Sequence, residues 1–150
     1  MSDVPTDELP DRRHITPDGV SDATVGALGK LSEALETAER ARGHLYSFHQ
    51  LTGSADIKLG DAVTALREAG HTDIAERIDR ELVGRNVIAG RWTFQVVEDY
   101  DDSYWSLFRE LEKAARDELA QGVRHLFEAR LKEGERTAGT PGHEAAPNTP

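Results

Sequence analysis

The chain has 150 residues, 18 Lys+Arg against 28 Asp+Glu, a formal net charge of -10 and no cysteine. Without cysteine there is no disulfide framework, no thiolate zinc site and no thiol nucleophile. An acidic chain without a basic stripe is poorly suited to nucleic acid or anionic lipid. No apolar run approaches the roughly 18 residues of a membrane span, and no leader-like apolar segment follows the N-terminus. The expectation is a cytoplasmic protein with no membrane and no nucleic-acid partner.

Residues 1–21 read as a disordered tail, interrupted by Pro5, Pro10 and Pro17 and carrying a charge of -3. Residues 134–150 read as a second disordered tail, rich in Gly and Pro, with a charge of -1. Such segments bury too little to offset the entropy of ordering. The middle, 22–133, carries -6 and is long enough for one modest core.

Within it the apolar spacing predicts helices. The first runs from about Asp22, capped by Ser21 or Asp22, to about Leu51, with Gly53 as its stop. The second spans about Ala55 to Ala69 and ends at Gly70. The third spans about Asp73 to Val83, capped by Thr72 and stopped by Gly84. The short Gly70-His71 link makes the second and third an antiparallel hairpin. Arg85 to Thr93 reads as an ordered loop anchored by Trp92. A long last helix runs from between Phe94 and Glu98 to about Glu133, with Gly122 as a bend or interruption. The fold class is all-α: two long helices flank a short hairpin in a helical bundle, and a homodimer could complete it.

At about 100° per residue, Arg42 and His49 share the apolar stripe of Leu31, Ala38 and Leu45. On the last helix, Tyr100, Leu107, Leu111 and Ala115 mark the expected buried face, with Glu118 among them and Asp101 at its margin. Trp105 falls off that face and suits a partner surface. Buried charges must be paired. Arg42, His49 and Glu118, with Asp101, Tyr100 and Tyr104, therefore form either a structural network or a ligand pocket in the bundle. In a pocket Arg42 would grip a carboxylate or phosphate, and His49 would serve as acid or base.

The segment 92–105 holds both tryptophans, two of three tyrosines and four acids in five positions. Acids near a helix start are favoured by its dipole. Alternatively, Glu98 with Asp101 or Asp102 has the spacing that puts hard-cation ligands side by side, for Mg or Mn. Glu36-x-x-Glu39 and Glu98-x-x-Asp101 resemble the paired acidic motifs of the MazG-like all-α nucleotide pyrophosphohydrolases. That resemblance implies a metal-dependent hydrolase of a phosphorylated small molecule. The interval between the pairs is longer than the family's pattern and holds an extra hairpin. Arg85 and Arg91 flank a turn beside Trp92, which could bind an anion or an acidic partner surface, or cover helix ends. No histidine has an acid three positions before it on a helix face, so a di-iron bundle is excluded, and no phosphate-binding glycine loop or nucleophile elbow occurs.

The runs Ala27 to Glu36, Arg42 to Leu51 and Gly84 to Val97 resemble a family of small all-helical actinobacterial proteins with no known activity. That resemblance covers about residues 22–133 and implies a source but no chemistry. The leading expectation is a non-catalytic module that binds a protein, another copy of itself, or a small ligand, with no cofactor.

Overall fold

The structure is a computed structural model that describes residues 9–146. The expectations for residues 1–8 and 147–150 lie outside these. The described residues are all-α, with one isolated bridge between Ile88 and Arg91 and no strand. The α-helices are α1 (Asp22–Glu68), α2 (Thr72–Glu81), α3 (Thr93–Asp99), α4 (Ser106–Ala120) and α5 (Leu126–Glu135). A π-helical segment, Tyr100–Trp105, lies between α3 and α4, and a 3-10 turn spans Arg12–His14.

The two helices expected before Gly70 are one. Helix α1 has 47 residues and runs straight through Gly53. At 1.5 Å per residue it is about 70 Å long. Its continuity follows from an unbroken alternation of three- and four-residue steps: Leu28, Leu31, Leu35, Ala38, Arg42, Leu45, His49, Thr52, Asp56, Leu59, Val63 and Leu66. Every one of these is buried or half-buried. Such a seam keeps one stripe of a helix against its neighbours. Its burial outweighs the cost of a mid-helix glycine, about 1 kcal/mol. The helix starts where Ser21 Oγ accepts from the Thr24 amide at 3.1 Å. It ends at Gly70, whose φ of +86° lets the amides of Gly70 and His71 reach back to the carbonyls of Arg67 and Leu66.

The chain divides into two compact units. The first comprises Met1–Thr37 and Phe108–Pro150. Its core is Val25, Ala120 and Leu126, with Val20, Leu28 and Val123 packed around them. In the segment expected as a tail, His14 Nδ1 lies 2.6 Å from the Arg124 carbonyl. The long last helix of the sequence reading is broken here. Gln121 and Gly122 adopt φ of 53° and 74°, and α5 starts anew after His125. Close packing joins α5 to α1: a Cβ built on Gly29 would stand 2.8 Å from Phe127 Cγ.

The second unit is Ala38–Leu107. Its buried residues are Ala38, Val63, Ala75 and Val97. Arg67 of α1 bonds Glu76 and Asp79 of α2 at 2.7 and 2.9 Å, tying the two sides of the hairpin. Gly84 ends the segment after α2 with φ +72°, and its amide donates to Asp56 Oδ1 at 2.8 Å.

Candidate functional site

Four of the twelve seam positions of α1 are polar, and all four fall between Arg42 and Asp56. Each is answered by a bond. Arg42 Nε and Nη2 donate to Asp101 Oδ1 and Oδ2 at 2.6 and 2.9 Å. His49 Nδ1 and Thr93 Oγ1 are 2.7 Å apart. Thr52 Oγ1 donates back to the Phe48 and His49 carbonyls. Asp56 accepts from Gly84. A half-buried polar group left without a partner would cost more than these bonds contribute, so the seam stays helical by satisfying itself.

The Arg42 guanidinium is also held by rings. Its Cζ lies 4.5 Å from the Trp105 ring centroid and 5.6 Å from that of Tyr46. Tyr100 Oη donates to the Ala38 carbonyl at 2.9 Å, and its ring leans on Tyr104 at 5.5 Å. The bond from Arg42 holds the Asp101 carboxyl below the usual carboxylate range. The same bond raises Arg42 above its ordinary value, and burial pushes the Tyr100 phenol up. Both oxygens of Asp101 and two nitrogens of Arg42 are committed to each other. The arrangement clamps α1 to the π segment and leaves neither group free to grip a ligand.

Only part of the expected inward cluster comes together. Arg42, Asp101 and Tyr100 meet, and His49 meets Thr93. Glu118 is exposed on α4 in the first unit, away from this network. Leu107 and Leu111, expected to be buried, are 51% and 58% exposed. Trp105, expected on the outside, is half-buried under Arg42. The cause is the π segment. The Ser106 amide bonds the Asp101 carbonyl, five residues back. A turn closed over five residues takes in one extra residue. Everything after it is rotated by about 100° relative to an unbroken α-helix. The inward line becomes Val97, Asp101, Trp105, Phe108 and Glu112, and the stripe of Tyr104, Leu107 and Leu111 turns outward.

Glu98, Asp101 and Asp102 do not form a cation site. Asp101 is consumed by Arg42, while Glu98 and Asp102 are exposed. Among the described residues, no three His, Asp or Glu side chains gather so as to hold a metal ion. Glu36 and Glu39 are exposed on α1.

The loop between α2 and α3 is held at several points. The Gly84 amide is bonded to Asp56, Thr93 to His49, and the Trp92 amide to Gln95 Oε1 at 3.0 Å. A tight turn closes from the Arg91 amide to the Ile88 carbonyl, with Gly90 at φ +74°. Arg91 pairs with Asp99. Trp92 was expected to anchor this loop from within. Instead it is 58% exposed, stacked at 5.3 Å on an exposed Phe94, with Val87 and Ile88 also exposed. Arg85 is exposed and has no ion-pair partner among the described residues.

Sequence reasoning missed the seam that carries α1 past Gly53. The signal was present in the steps from Thr52 to Leu66, but two polar seam residues masked it. It also missed a cavity of about 740 Å³ in the first unit, whose lining includes His14, Ile15, His125 and Arg130. No helix is long and apolar enough to cross a membrane. Comparison of the chain with protein-family models, with curated proteins and with solved structures finds no match.

Proposed function

We propose that the protein is a non-catalytic interaction module, and that residues 84–94 are its contact surface. The observation that carries this reading is the loop itself. It is pinned at both ends by side-chain bonds, yet it presents Val87, Ile88, Trp92 and Phe94 to solvent. A rigid aromatic-aliphatic tip costs little entropy to dock, and Trp with Arg dominates the binding energy of many interfaces. The segment has two arginines and no acid, against the prevailing charge of the chain. The polar residues that could have formed a reactive site are instead used to hold the helices in register. The cysteine-free composition supports a cytoplasmic setting.

The test is site-specific cross-linking. A photoreactive residue at position 92 should give discrete adducts in whole cells, and one at position 43, on the open face of α1, should give none. Equal labelling from both positions, or none from position 92, would overturn the reading.

A further inference from the structure

The second unit carries a second exposed patch. Tyr104 and Leu107 are turned outward by the π segment, and the same stretch begins with acids. Of the four acids between Glu98 and Asp102, Asp99 is paired with Arg91 and Asp101 with Arg42. Glu98 and Asp102 are exposed and have no ion-pair partner among the described residues. One unit therefore presents two apolar patches of opposite charge. The loop patch has Val87, Ile88, Trp92 and Phe94 with Arg85. The helical patch has Tyr104 and Leu107 with Glu98 and Asp102.

Two-fold association requires that patch i of one copy meet patch j of the other, and the reverse. A single unit bearing both halves of a complementary pair meets that requirement. A basic partner would be repelled by Arg85, and an acidic one by Glu98 and Asp102. A second copy satisfies both at once.

We propose that the partner of the loop is a second copy of this chain, with Arg85 and Trp92 of each protomer seated on the Glu98–Asp102–Leu107 patch of the other. This rests on the reading of residues 84–94 as a contact surface.

Charge swapping tests the pairing. The full chain, Arg85→Glu, and Glu98→Arg/Asp102→Arg are each examined by sedimentation at about 100 μM, where a dimer with a Kd of about 10 μM is mostly associated. The swapped side chains are exposed and carry no bond that holds the fold, and circular dichroism checks this. The wild-type chain should be dimeric, and each swap alone should be monomeric because like charges face each other. An equimolar mixture of the two should recover a dimer containing one of each. Trp92→Ala should also dissociate the dimer, as an uncharged control. A monomeric wild-type chain, a dimer indifferent to these changes, or no recovery on mixing would each overturn the proposal. The cross-linking at position 92 separates the two claims. Adducts of twice the chain mass support a second copy. Adducts of other masses overturn the dimer and leave the contact surface standing.

Discussion

Arg42 occupies a position where a helix of this pattern would ordinarily carry Leu. It is tolerated there because Asp101, 59 residues further along, accepts two bonds and Trp105 covers a face of the guanidinium. Removing one partner strands the other, whereas removing both leaves only apolar surface. Arg42→Leu and Asp101→Leu should each lower the urea midpoint, and the double variant should unfold at a higher midpoint than either. Strict additivity would show that the pair does not couple. The pair also makes stability depend on pH. The folded-state pKa of Asp101 is depressed by the Arg42 bond. Its contribution is therefore complete above the unfolded value of about 3.9 and is lost as pH falls through the folded value. The stability gap between wild type and Asp101→Asn should be constant above pH about 5 and should shrink below about 4. The wheel made Arg42 and His49 legible as inward residues, because a single helix dictates its own faces. Their partners were not legible. Thr93 carries no signal of its own, and Glu118 was selected in place of Asp101 by a helix assumed to be regular.

At the scale of elements, α1 contains glycines in two different situations. Gly43 faces open space, and Gly29 lies against Phe127 of α5. Gly43→Ala should stabilise the protein by about 0.5–1 kcal/mol by reducing backbone entropy in the unfolded chain. Gly29→Ala should destabilise it, because the overlap with Phe127 costs about 1–3 kcal/mol and exceeds the helix gain. Equal midpoints for the two variants would show that α5 does not pack as described. Glycine also explains where the sequence reading of the elements held and where it did not. Gly70, Gly84 and Gly122 all take positive φ, and each ends a helix or follows its end. Gly53 does not take positive φ, and there the seam carries the helix on. The residue type is the same at all four. The difference is whether the apolar spacing continues beyond it.

At the scale of the molecule, each unit has its own small core. Val25 belongs to the first and Val63 to the second, and both are almost wholly buried. Truncating either to Ala should cost about 2 kcal/mol. Amide exchange should quicken first in the unit that carries the substitution, which hydrogen-exchange mass spectrometry reads directly. Exchange that quickens first in the other unit would contradict the division.

Read alone, the residues specify an all-helical chain, most of its helix ends, and the inward place of Arg42 and His49. These are local consequences of spacing and backbone freedom. The register of the last helices is not local. An α turn and a π turn differ by one residue, and the choice rests on bonds made across the fold, chiefly Arg42 to Asp101. That choice puts Trp105 inside and Leu107 and Leu111 outside. The surface offered to a partner is therefore settled by tertiary structure, while the helices that carry it are already written in the chain.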